Sequence, residues 1–127
     1  MMTCDDAWTE AEAGALELAE RSEFWRRTAI SRVYYAVYHR TGRLVGIDPS
    51  GANSNHQRLL DAVKAAKGKE WVRAGIRLKQ LQLARVKADY YLGNDITRQD
   101  VVMALENARA VRQLLSADEA GEVVTPR

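Results

Sequence analysis

The chain reads as an all-α protein, an up-and-down antiparallel bundle of about five helices. Two observations predict this. Apolar residues recur at spacings of three and four along successive stretches. The breaks between those stretches hold Gly, Pro, Asn and Ser or a helix-capping residue. Only two prolines occur, Pro49 and Pro126, and neither falls inside a periodic stretch. At 127 residues the chain fits one helical domain over residues 1–117, with a flexible C-terminal tail over 118–127. A domain of that size buries roughly two-thirds of its unfolded surface, enough for a core without covalent staples.

Each helix has its own justification. The first spans about Asp6 to Glu20, with Trp8, Ala11, Ala15, Leu16 and Ala19 as its apolar stripe. Acids crowd its first turns, where the helix dipole favours them. The second opens at Ser22 as N-cap and runs to Val45 before Gly46. Its core stripe is Ile30, Val33, Tyr34, Val37, Thr41 and Leu44, and a second stripe holds Ala29, Arg32, Ala36, His39 and Arg43. The stretch from Gly46 to Asn53 is a loop. Ser54 and Gln57 have the spacing of a capping box and start a short third helix carrying Leu59, Leu60 and Val63, closed by Gly68. The fourth spans about Lys69 to Leu92. Thr97, with Asp100 at N3, begins the fifth, whose seam is Val101, Leu105, Ala108, Val111 and Leu115.

Composition narrows the function classes. A single cysteine, Cys4, rules out an intramolecular disulfide, and no Cys/His cluster has zinc spacing. No metal site and no cofactor are expected. The N-terminal MMTCDDAWTEAEA has neither a basic nor an apolar region of the signal-peptide kind, and no apolar run is long enough to span a bilayer. The expected compartment is therefore the cytoplasm, with no membrane partner.

Charge is segregated. Residues 1–23 carry seven acids against Arg21, a net of −6. Residues 24–47 carry five arginines and no acid, and residues 56–92 carry nine Lys/Arg against three acids. A basic middle suggests an anionic partner such as RNA or a nucleotide. The competing reading is that the acidic first helix packs beside the basic ones and neutralises them within one chain.

Polar residues on apolar stripes are the candidates for chemistry. Gly75, Leu78, Leu81, Arg85, Ala88 and Leu92 share a face of the fourth helix, and Asp89 follows Arg85 by one turn. An Arg and Asp at i, i+4 pair readily. Such a pair is either an ion pair tying helices together or an arginine presented to phosphate or ribose in a cleft. On the second helix Arg32, Tyr35, Ala36 and His39 fall on one side. A histidine to move protons and an arginine to steady charge on phosphorus are the minimum for metal-independent RNA cleavage. The plainer reading makes His39 a packing residue and Arg32 a surface one. His56, in the first turn of a capped helix, is explained by solvation there. Tyr34, Tyr35, Tyr38, Tyr90 and Tyr91 are core and interface candidates before they are stacking platforms, and Tyr34 points inward. No P-loop, paired-carboxylate or Ser/His/Asp constellation stands out.

Two segments carry a family resemblance. Ala29-Ile-Ser-Arg-Val-Tyr-Tyr-Ala-Val-Tyr-His39 resembles the second-helix signature of HEPN domains, the nucleotide-binding domains of higher eukaryotes and prokaryotes. Leu81-Gln-Leu-Ala-Arg-Val-Lys-Ala-Asp-Tyr90 resembles their later Arg-x-x-Ala-Asp-Tyr signature, in the form seen in small bacterial and archaeal members. His56-Gln-Arg-Leu-Leu60 between them, then Ile96-Thr97 and Ala104-Leu-Glu-Asn-Ala108, fall in the same order, so the resemblance covers roughly residues 8–116. It implies a helical bundle that forms a homodimer, with a toxin–antitoxin or defence role and a nucleotidyltransferase antitoxin as partner. Catalytic members are metal-independent endoribonucleases whose motif is an arginine separated by four to six residues from a histidine. Arg85 matches that arginine, but Tyr90, Tyr91 and Leu92 occupy the histidine positions.

Three readings follow. The chain is a non-catalytic module binding RNA, a nucleotide or a nucleotidyltransferase through Arg32, Tyr35, Arg85 and Asp89. Alternatively it is a ribonuclease with a variant site, Arg85 assisted by Tyr90 or His39. The third reading is a structural dimerisation or adaptor bundle. The absent motif histidine favours the first over the second, and the basic middle favours either over the third.

Overall fold

The computed structural model describes residues 1–47 and 55–117, and the described residues form five α-helices and no strand. They are α1 (Cys4–Ala19), α2 (Glu23–Val45), α3 (Asn55–Ala65), α4 (Lys69–Tyr90) and α5 (Arg98–Leu114). The all-α bundle expected from the periodicity is the fold. The expected tail, residues 118–127, and the Ser54 cap lie outside the described residues.

Caps decide where the helices begin. Thr3 and Asp6 form a reciprocal capping box, so α1 starts at Cys4 rather than at Asp6. Thr97 and Asp100 form the same box at α5, as their spacing predicts. Ser22 has the extended backbone of an N-cap, but its side chain makes no capping bond. Gln57 bonds Asp61 one turn on. Gly68 belongs to the start of α4 rather than the end of α3. At the end of α2, Gly46 takes a left-handed φ of 75°, which brings the Ile47 N–H within 2.8 Å of the Gly42 carbonyl. A Cβ on Gly42 would stand 3.0 Å from the Ile47 oxygen, so that return needs glycine at both ends.

Helix α2 is the centre of the bundle and packs on all four of the others. Its expected stripe, Ile30, Val33, Tyr34, Val37, Thr41 and Leu44, is buried throughout. Facing it are Trp8, Ala11, Ala15 and Ala19 of α1, Leu78 and Leu81 of α4, and the whole expected seam of α5. Each large aliphatic side chain so buried contributes about 1.5–3 kcal/mol. Two stripe members depart from expectation. Leu16 is exposed while Leu18 packs on the core instead. Leu92 is exposed because α4 ends at Tyr90.

Ion pairs fix the helix directions and account for most of the acidic segment. Asp5, at the start of α1, pairs with Arg40 near the end of α2, so the two run antiparallel. Glu12 pairs with Arg109 and Glu20 with Arg98, which sets α5 antiparallel to α1. Arg112 reaches Asp5 at 3.8 Å and stacks on the Trp8 ring at 4.8 Å. Glu17 pairs with Arg21 and Glu23 with Arg27. Of the cations in residues 24–47 and 56–92, these pairs join Arg27 and Arg40 to the acidic segment, so the basic middle is neutralised only in part. Arg32 and Arg43 stay exposed on α2 and appear in none of these pairs.

Arg27 ties the ends of α2 and α4 together. Its guanidinium is buried, pairs with Glu23 at 2.8 Å, and donates to the Lys87 and Ala88 carbonyls at 3.2 and 2.9 Å. It also reaches the carbonyls of Tyr91, Leu92 and Asn94 just beyond the helix. The Ala88 oxygen is one that an α-helix leaves without an intrahelical donor, at the negative end of its dipole, whereas Lys87 also accepts from the Tyr91 N–H. Its neighbour Arg26 does the same for α1, donating to the Ala19 carbonyl, and holds the Ile96 carbonyl at 2.7 Å.

Candidate functional site

Anchoring the end of α4 on α2 sets Arg85 against the tyrosine run. The Arg85 guanidinium centre lies 5.2 Å from the Tyr34 ring centroid, 5.6 Å from that of Tyr35 and 5.6 Å from that of Tyr90. Only 4% of Arg85 is exposed. Its Nη1 stands 3.5 Å from Asp89 Oδ2, at the outer limit of a hydrogen bond, and Ser31 Oγ approaches the same oxygen at 3.5 Å. Among the described residues its Nε has no hydrogen-bond partner. Burial works against the charge, but Tyr35, Tyr90, Tyr34 and Asp89 outweigh it and hold the guanidinium protonated. The cation is held by π faces, each worth about 0.5–2 kcal/mol according to its exposure, together with a side-chain hydrogen bond to Tyr90.

A third helix completes the cluster. Tyr34 Oη and His56 Nδ1 are 2.6 Å apart, which joins α3 to α2. The His56 ring lies over Tyr38 at 4.8 Å between centroids, and Tyr38 in turn stacks on Tyr34 at 5.7 Å. Burial pushes the Tyr34 phenol well above its ordinary range, although the Arg85 charge pulls the other way. Burial, and then the charge of Arg85, lower the His56 pKa, so the imidazole is neutral at pH 7.

Arg85, Asp89, Tyr35 and Tyr90 therefore come together as the sequence suggests. Arg32 is exposed on a cleft of about 350 Å³ that it shares with Ser31, Asp89, Thr28, Phe24 and Leu92, and of the Arg85 group only Asp89 lines this cleft. Phe24, Tyr90, Tyr91 and Leu92 leave large apolar surfaces in solvent around that end of α4. His39 faces the other way. It lines a groove between α1 and α2 with Glu10, Ala11, Arg32 and Tyr35, and touches the cluster only through the Tyr35 and Tyr38 rings at 6.4 and 5.5 Å. The imidazole that meets the rings around Arg85 is His56, for which the sequence alone suggests only helix-end solvation. Its signal was the His56-Gln-Arg-Leu-Leu60 segment standing between the two signatures.

No group of three or more His, Cys, Asp or Glu side chains that could hold a metal occurs among the described residues, and none of their helices is long and apolar enough to cross a membrane. No known family, curated protein or solved structure matches the chain.

Proposed function

We propose that the chain is a HEPN-like binding module that does not itself cleave RNA, and that it takes the phosphate of RNA or of a nucleotide at the cleft between α2 and the end of α4. Arg32, Tyr35, Arg85 and Asp89 are the binding residues. One observation carries this reading: Arg85 is a buried cation whose hydrogen-bonding capacity is not filled, with an orphan Nε and a long contact to Asp89. Buried charges are ordinarily paired, and an unmade bond at such a group is costly. A phosphate supplies the missing acceptors, Arg32 adds a second cation on the rim, and the exposed rings of Phe24, Tyr90 and Tyr91 offer faces on which bases stack.

Tyr90 favours binding over cleavage. It stands where the resemblance places a catalytic histidine, and a tyrosine is a far poorer general base than the imidazole it replaces. The resemblance supplies the setting: a cytoplasmic homodimer in a toxin–antitoxin or defence system, with a nucleotidyltransferase as partner.

The test is retention of single-stranded RNA by the purified protein at two salt concentrations, beside incubation with total RNA and chelator. Retention that falls steeply with salt is the expected result, because phosphate contacts release counterions. Cleavage under chelator would replace this reading with the ribonuclease one. Neither retention nor cleavage would leave an adaptor bundle.

A further inference from the structure

The binding reading makes no use of His56, yet that imidazole packs on Tyr34 and Tyr35, the same two rings that hold Arg85. Tyr34 is 1% exposed and keeps its proton, so its hydroxyl needs an acceptor, and the atom it meets at 2.6 Å is His56 Nδ1. That bond assigns the neutral tautomer with the proton on Nε2. Among the described residues, the groups facing the ring are Tyr34, Tyr35 and Tyr38 from α2 and Arg85 from α4. None of them carries a negative charge, and one carries a positive charge.

We propose that His56 and Arg85 are two halves of one anion-binding centre, and that a phosphate group binds there together with a proton taken up by His56. The proposal rests on the anionic ligand of the preceding section and adds a second donor and a linkage. Arg85 offers the unpartnered Nε–H and a weakly held Nη1. His56 offers Nε2–H. In the empty site the Arg85 charge opposes protonation of the ring. A bound anion cancels that opposition, so ligand and proton favour each other reciprocally. On protonation the Tyr34 contact survives with its roles exchanged, Nδ1–H donating and Oη accepting. The phenol proton then needs a new acceptor, a cost that delays proton uptake until the ligand arrives. Tyr90 is the exposed member of the cage, 68% open to solvent at the last residue of α4, and rotation of its ring uncovers the guanidinium.

The test uses the full chain and a hydroxyl-ended single-stranded RNA, whose phosphodiesters do not titrate between pH 5.5 and 7.5. At fixed ionic strength, affinity is expected to rise as pH falls, by about tenfold per pH unit at most for one linked proton. The conservative variant His56→Gln keeps a neutral side chain that can still meet the Tyr34 hydroxyl, and its affinity is expected to be independent of pH. In the wild-type protein, NMR titration of the His56 ring should show its midpoint move upward at saturating RNA. Adenosine monophosphate in a parallel arm distinguishes a terminal phosphate from the backbone as the source of the anion. RNA affinity independent of pH, a pH dependence that persists in His56→Gln, or a His56 midpoint unmoved by RNA overturns the proposal while RNA binding stands. No binding of either probe at any pH overturns it together with the reading on which it rests.

Discussion

Arg27 Nη1 donates a 2.9 Å hydrogen bond to the Ala88 carbonyl, joining the first turns of α2 to the last turn of α4. The guanidinium does for α4 what a glycine cap does for other helices, and it also holds the segment between α4 and α5. Because α4 carries Arg85 and Asp89, this contact sets the register of the candidate site.

Arg27→Ala is therefore expected to be among the most damaging substitutions on α2. It leaves the Ala88 carbonyl without its donor and removes the buried partner of a half-exposed Glu23, at a cost of about 2–3 kcal/mol. For a chain of this size that lowers Tm by roughly 10 °C or more. Thermal unfolding followed by circular dichroism checks it, and a melting temperature within a few degrees of wild type would remove Arg27 as the anchor.

Arg85→Ala should lower stability and RNA retention together, the first by about 3 kcal/mol, since a buried cation and its stacking both go. Arg85→Met separates the two effects. Its volume fits among Tyr34, Tyr35 and Tyr90, so stability should largely return while retention does not. Denaturant unfolding beside filter binding reads both. Retention at wild-type level in the methionine variant would exclude the guanidinium from the site.

Arg32→Ala tests the rim. The side chain is exposed and makes none of the ion pairs that hold the helices, so melting should be unchanged. RNA affinity should fall, and the slope of its logarithm against that of salt should drop by about one phosphate's worth. An unaltered slope places the ligand elsewhere.

Stability should depend on pH through His56. Its folded pKa lies below the ordinary 6.5, so between the two values the unfolded chain binds more protons than the folded one. The contribution of the neutral ring is complete above about pH 6.5 and is lost as pH falls toward the folded value. Urea midpoints measured downward from pH 7.5 should decline in that window for the wild-type chain. They should decline less in His56→Gln, and identical declines would assign the effect to other groups.

The helices were legible because a 3.6-residue period leaves a clear trace in Ile30, Val33, Tyr34 and Val37, and again in Val101, Leu105, Ala108 and Val111. The Thr97 box was legible for the same reason, since its partners are three residues apart. Arg85 and Asp89 could be paired because they are one turn apart on a single helix. What escaped the sequence lies between helices. His56 meets Tyr34 across twenty-two residues, and Arg27 meets Ala88 across sixty-one. No local spacing encodes either meeting. Leu92 misled because periodicity continues past the point where the backbone leaves the helix. The charge asymmetry along the chain did not foretell which cations the acids meet: acids of residues 1–23 answer Arg98 and Arg109 of α5 as well as Arg40 of the basic middle.

Tyr34 meets both Arg85 and His56, so a single ring from α2 is the keystone between α3 and α4. Neither half of the polypeptide, cut between α2 and α3, contains the complete pocket. A peptide bearing only Leu81 to Tyr90 would present its arginine without the cage that confines it. Under the binding function proposed above, ligand capture is inseparable from assembly of the whole bundle, and occupancy of the cluster would report how much of the protein is correctly folded.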